Sequence, residues 1–220
     1  SDAVSMVYMD GYFFAGTLSG KIYQSDLNNP SSWQPQNYIN ADYGGDDLNF
    51  IFKYGEYIVA AGKGGTTQYF YNTGNQDGSV LSNVGALTNT TLNLLCQKMD
   101  VENGSYILSG SSSVLTNLYK ITGVNQYELI SDNFWSNAIA SNGMTSLQSA
   151  LLGKKAVLVL KGGSNGNIIY DPSNNEFTIF NTVLTSSFST KFTKSGQTTT
   201  FSWAAGNTWK DSTAANTMTI

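Results

Sequence analysis

Chemistry at neutral pH needs a proton carrier, an activated nucleophile, a metal or a pair of carboxylates. This 220-residue sequence supplies little of that. It has no His, its 11 basic residues are all Lys, and it has one Cys. Without His, neither a Ser-His-Asp nor a Cys-His arrangement can form, and one Cys cannot make a zinc site of the usual kinds. The arginine clamps of many anion-handling enzymes are absent with Arg itself. Cys96 follows Leu94 and Leu95 and reads as a small core residue. With no second Cys there is no intrachain disulfide. The remaining enzymatic route is a carboxylate pair, as in glycoside hydrolases. Asp46 and Asp47 are adjacent, but neighbours on a strand point to opposite faces. Asp10, Asp26, Asp42 and Glu56 can meet only through the fold, and they read as solvated turn residues. The expectation is a protein that is not an enzyme and needs no cofactor.

Four other local patterns bear on binding. The loop Asp42 to Asp47 is the densest acidic spot. It lacks the ligand spacing of an EF-hand and reads as a turn between units. Gly62-Lys63-Gly64-Gly65-Thr66-Thr67 has neither the spacing nor the following helix of a phosphate loop and reads as a hairpin. Asn89-Thr90-Thr91 and Asn103-Gly104-Ser105 match the glycosylation pattern, as chance allows in an Asn- and Thr-rich chain. Ser25-Asp26-Leu27-Asn28-Asn29-Pro30-Ser31-Ser32-Trp33 is similar to the Asp box of some propellers. There the Asp or Asn side chain locks a turn through backbone amides, Pro30 fixes it, and Trp33 packs between blades. The roles of Ser25, Asp26, Pro30 and Trp33 are thus read as structural. Among the other tryptophans, Trp203 alternates with polar neighbours and reads as buried. Trp135 and Trp209 are candidates for a surface contact, Trp209 because it lies in a turn-like stretch.

These residues must be carried on strands. Charged residues are 12% of the chain, about half the usual share, and Gly, Ser, Thr and Asn fill the gap. A turn Gly followed by an apolar run recurs at Gly11, Gly55, Gly104, Gly153 and Gly196, at spacings of 44, 49, 49 and 43. A period of roughly 40–50 residues with several strands per period marks a propeller. The predicted fold is all-β, one domain over residues 1–220. It is a propeller-like array of antiparallel three- to four-stranded blades, with about five units near 4–47, 48–91, 92–143, 144–187 and 188–220. Predicted strands include Val4 to Met9, Leu48 to Tyr54, Leu92 to Met99 and Glu176 to Phe180. Ala15, Ala60 and Ser109 fall where small residues would line a crowded axis. A helix is predicted over Thr145 to Leu152. A stack of hairpins in a sandwich is the competing architecture. The net charge of −4 argues against attraction to nucleic acid or an anionic membrane. The longest apolar run, Ala156 to Leu160, is of strand length, far short of a membrane span. No basic, signal-like segment opens the chain, and about five units fit either a closed ring or a fragment of a larger propeller.

The first third carries a resemblance. Asp10-Gly11-Tyr12-Phe13-Phe14, then Gly20-Lys21-Ile22-Tyr23-Gln24 leading into the Ser25 to Trp33 stretch, resembles the packaged-DNA stabilisation proteins of short-tailed phages. Tyr69-Phe70-Tyr71-Asn72-Thr73-Gly74 is similar to that family's next landmark. The likeness spans roughly residues 5 to 75, and family members are longer than this chain. It implies a tail hub or nozzle protein of the virion, assembled as a homo-oligomeric ring beneath the portal and its adaptor. There it would help retain packaged DNA and support tail attachment. It implies structural packing roles for Tyr71, Asn72 and Gly74. The alternative from the residues themselves is a carbohydrate-binding propeller, a lectin or receptor-binding module, supported by the aromatics and the Asn/Thr-rich loops.

Overall fold

The structure is a computed structural model. It describes residues 2–41, 45, 47–75, 77–88, 92–102, 104–111, 114–162, 166–180, 200–203 and 207–210. Four four-stranded antiparallel sheets follow one another along the chain, and in each the strand order is the sequence order. The first holds β1 (Ala3–Met9), β2 (Tyr12–Thr17), β3 (Lys21–Asp26) and β4 (Asn29–Asn40). The second holds β5 (Leu48–Tyr54), β6 (Tyr57–Gly62), β7 (Thr66–Asn72) and β8 (Leu81–Thr88). The third holds β9 (Met99–Val101), β10 (Gly104–Ser111), β11 (Val114–Gly123) and β12 (Gln126–Leu129). Helix α1 (Asn133–Ser141) precedes the fourth, formed by β13 (Ser146–Leu152), β14 (Lys155–Lys161), β15 (Asn167–Asp171) and β16 (Glu176–Phe180). β17 (Thr200–Trp203) and β18 (Asn207–Lys210) make a two-stranded sheet. This is the all-β, blade-like architecture expected from the repeat. Among the described residues no helix is long and apolar enough to cross a membrane.

The turn chemistry explains the meanders. Asp10 and Gly11 have φ of 53° and 85°, the two left-handed positions of a tight hairpin turn whose twist matches the flanking strands. Gly55 and Gly153 take positive φ at the corresponding turns. In the third sheet Glu102 holds the left-handed position, and Gly104 instead opens β10.

Three expectations are corrected. Ser146–Leu152 is strand β13, paired residue for residue with β14 from Ser146↔Lys161 to Leu152↔Lys155. The Gly153 turn and the β-branched β14 beside it override the local helical spacing. The helix lies earlier, where Asp132 caps it and its side chain accepts from Trp135 N at 2.9 Å. Leu92 to Met99 is not one strand. It touches β10 by a single bridge, Leu94↔Ser109, and regular pairing begins at Met99. Ala15, Ala60 and Ser109 lie on the second strands. The first strands run closest to their neighbours, β1 beside β5 and β9 beside β13, so these form the inner edge.

Apolar residues on both faces of the middle sheets build three layered cores. Met9, Phe14 and Ile22 of the first sheet meet Leu48, Ile51, Ile58, Ala60 and Phe70 of the second. The opposite face of the second, with Phe50, Phe52, Val59, Ala61 and Tyr69, meets Leu94, Ile107 and Ile121. The far face of the third, with Tyr106, Leu108 and Leu118, meets Leu147, Leu158, Leu160 and Ile168 of the fourth. A bulge between Leu48 and Phe50 shifts the alternation, so Leu48 joins Ile51 toward the first sheet. Each fully buried side chain of this size contributes about 1.5–3 kcal/mol. The outer face of the first sheet is apolar without such cover: Met6 and Tyr8 are more than half exposed.

Gly16 faces the first of these cores. A Cβ there would lie 2.7 Å from Leu48 Cδ2 and 3.1 Å from Ile51 Cγ2, and both neighbours are fully buried. Gly16→Val is expected to destabilise the chain by about 1–3 kcal/mol through overpacking. A lowered urea midpoint at unchanged slope measures this.

Candidate functional site

The Ser25 to Trp33 stretch folds as the β3–β4 turn and its bulged continuation. Asn28, at φ 54°, donates its N–H to Gly11 O at 2.7 Å, which ties this turn to the β1–β2 turn. Ser25 is fully buried. Its Oγ accepts from Phe13 N at 3.0 Å and donates to Asp26 O at 2.9 Å. Asp26 Oδ2 accepts from Ser32 Oγ at 2.5 Å. Asn29 Oδ1 accepts from Ser31 N at 3.2 Å, and Trp33 Nε1 donates to Pro30 O at 2.8 Å. Every one of these bonds closes within the first sheet, and those from Phe13, Asn28 and Ser31 N–H satisfy backbone amides near the turns. Trp33 lies in none of the inter-sheet cores. With Pro30 it lines a groove on the outer face of the first sheet, beside Met6, Phe13, Ala15 and Tyr23.

The second landmark ends β7. Asn72 Oδ1 accepts from Gly74 N at 2.8 Å, and Gly74 takes φ 72°. The other end of the same amide donates to Asp10 Oδ2 at 3.2 Å, bridging the first two sheets. Here the fold brings two carboxylates together. Asp10 and Glu56 line one open pocket with Tyr57, Tyr71, Asn72 and Val84. Tyr57 and Tyr71 are direct cross-strand partners, and Tyr71 is 42% exposed. The sequence placed Asp10 and Glu56 only on separate turns; that they line one pocket is set by stacking sheet on sheet, which no local signal marks.

Trp135 is not a free surface residue. It stacks on Phe177 of β16 at 4.9 Å with planes 22° apart and packs against the core between the third and fourth sheets. The exposed ring of α1 is its neighbour Phe134. Trp209 lies on β18 opposite Phe201, in a strand rather than a turn; its side chain, like that of Trp203, falls outside the described residues. So do Asp42 to Gly44 and Asp46 of the acidic loop, and Asn89 and Asn103 of the two glycosylation patterns. Among the described residues no group of three or more acidic, His or Cys side chains is placed to hold a metal. The Gly62 to Thr67 stretch is the β6–β7 hairpin turn. Burial pushes the Cys96 thiol up to about 11, away from a reactive thiolate. Between the second and third sheets the Tyr69 and Tyr127 hydroxyls share a hydrogen bond of 2.9 Å, and burial pushes both phenols up.

The family model described as Phage_stabilise, Bacteriophage P22 Gp10, β-propeller, matches residues 1–154. The chain belongs to this phage stabilisation family. The matched region spans the first three sheets, α1 and β13. No curated protein matches the sequence. Among solved structures, BamB from Moraxella catarrhalis is similar with a TM-score of 0.50 at 11% identity, over 94% of this chain and 57% of BamB. The chain therefore spans little more than half of that relative, and the likeness concerns the fold alone. The designed Ika4 protein aligns at 0.46 and 13% identity over 78% of this chain and 91% of its own, and the WD40 domain of SCAP from fission yeast at 0.48 and 16% over 79% and 43%.

Two outcomes follow from the buried groups. Ser25→Ala leaves Phe13 N–H without its acceptor and is expected to cost about 1–3 kcal/mol, read from urea unfolding. Tyr69, Tyr127 and Cys96 all have folded pKa values above their unfolded ones. Their contribution is complete below the unfolded values, about 8.5 for the thiol and 10 for the phenols, and is lost as pH rises through and beyond them. The urea midpoint should fall steadily above about pH 9, and less steeply in Cys96→Ala and Tyr127→Phe.

Proposed function

We propose that this chain is a non-catalytic structural component of the phage virion, a tail hub or nozzle element that helps retain packaged DNA and supports tail attachment. The match to the P22 Gp10 β-propeller family over residues 1–154 carries the reading. Two features support it. The layered cores make a stiff array suited to a load-bearing ring. The net charge of −4 gives DNA no electrostatic hold, so a duplex can pass without sticking. Its partners are the portal-adaptor and other tail proteins, with further copies of the chain completing a ring.

Serum raised against the chain, applied to phage particles and viewed by electron microscopy, is expected to label the tail vertex at the base of the head. Label on peripheral fibres, or none, would overturn the reading. Reversing exposed acidic residues such as Asp47 and Glu56 to Lys in the virion protein is expected to slow DNA ejection, followed by dye release from the capsid; unchanged ejection would remove the charge argument.

A further inference from the structure

The pocket where the first two sheets meet has a donor and acceptor pattern that the structural role leaves unused. We propose that it is a binding site for one unit of a neutral saccharide, formed by Asp10, Glu56, Tyr57, Tyr71 and Asn72. Its volume, about 490 Å³, is within the usual range for small-molecule sites, roughly 300–1,000 Å³. It is large enough for a single sugar ring and open at the surface, as entry of a chain-borne residue requires.

The chemistry of the lining selects the ligand class. Among the described residues no Lys lines the pocket, and two carboxylates do, which disfavours phosphates, sulfates and acidic sugars. Ionised carboxylates only accept hydrogen bonds, whereas phenols both donate and accept. The lining therefore suits a ligand dense in hydroxyl donors with a few ring and glycosidic oxygens to be satisfied in return. Tyr71 adds an accessible ring on which the C–H face of a pyranose can lie, and Val84, also exposed, extends the apolar side.

The site is held before any ligand arrives. Asn72 is fixed at both ends of its amide, by Gly74 N at 2.8 Å and by Asp10 Oδ2 at 3.2 Å. Asp10 stands on a left-handed turn position at φ 53°, and the bond from Asn72 restrains its carboxylate; preorganisation of that kind favours binding. Asn72 engages Oδ2 of Asp10, and the carboxylate's other oxygen can still accept from a hydroxyl. Tyr57 packs beside Tyr69 on the face of the second sheet toward the third, with ring centroids 6.2 Å apart at 73°.

Saturation-transfer NMR on the intact chain tests this. The probes are glucose, galactose, mannose and N-acetylglucosamine with their disaccharides, and a lysine ester as the cationic control. At least one saccharide should show ring-proton saturation with a Kd of millimolar order, as an open pocket of this size allows. Tyr71→Ala should weaken it by about tenfold or more, as should Asp10→Asn, while Trp33→Ala on the remote groove leaves it unchanged. Tyr71 is half-exposed, so its variant should keep the wild-type melting curve; Tyr71→Phe, retaining the ring, should restore most of the signal. A blank panel, binding indifferent to Tyr71→Ala and Asp10→Asn, or saturation of the lysine ester alone each overturns the proposal. The virion role stands or falls on particle labelling independently of this result.

Discussion

A four-stranded sheet that is apolar on both faces has nowhere to put them except against another sheet. The second and third sheets here are of that kind. Phe50 and Phe52 face one way along β5 and Ile51 the other, and Tyr106 and Leu108 flank Ile107 on β10 in the same alternation. Neither sheet has a core of its own. Stability comes from three shared layers, each made by neighbours in sequence, and the features that serve function are placed by that stacking. The Asp10–Asn72 bridge, the pocket shared by Asp10 and Glu56, and the Tyr69–Tyr127 pair all lie where one sheet abuts the next.

The period of the array was legible because tight turns demand particular residues. Asp10-Gly11, Gly55 and Gly153 mark hairpins through their positive φ, and the strands between them were read from simple alternation. Legibility fails where tertiary packing overrides local pattern. Thr145 to Leu152 has helical spacing but borrows its register from β14. The true helix starts at a plain Asp cap, yet its Asn and Ser content gave it weak propensity, and its partner Phe177 lies over 40 residues away. The Ser25 to Trp33 stretch was readable as a locked turn because its bonds are local: Asp26 to Ser32, Asn29 to Ser31, Trp33 to Pro30. The destination of Trp33, a groove on the outer face instead of an inter-sheet layer, depends on which side of the first sheet has a neighbour, and no residue near Trp33 encodes that.

The carboxylate pocket makes the same point for function. Asp10 and Glu56 are ordinary turn residues in sequence, and Tyr71 and Asn72 are an ordinary strand end. Their convergence requires two hairpins from successive units to reach the same rim at the same height, which the shared first core layer enforces through Met9, Phe14 and Phe70. The family relationship accounts for the scaffold. The pocket is a property of two particular turns on it, and turns vary far more freely than the layers beneath them.

Helix α1 breaks the regularity of the array in one place. Ser136 bonds to Asn117 and Ser131 of the third unit, while Trp135 lies flat on Phe177 at the outer edge of the fourth sheet. The helix thus acts as a spacer in the outer gap between those two sheets, whereas the two preceding gaps are filled by side chains from the sheets and their connecting segments. Sheets radiating from an inner edge would otherwise be interchangeable, and a partner approaching the rim would have several equivalent places to land. With a spacer in one gap, bearing the exposed Phe134, that gap differs from the two before it. Among the described residues the helix thus gives the rim an angular asymmetry, a mark by which one position on it can be told from its neighbours.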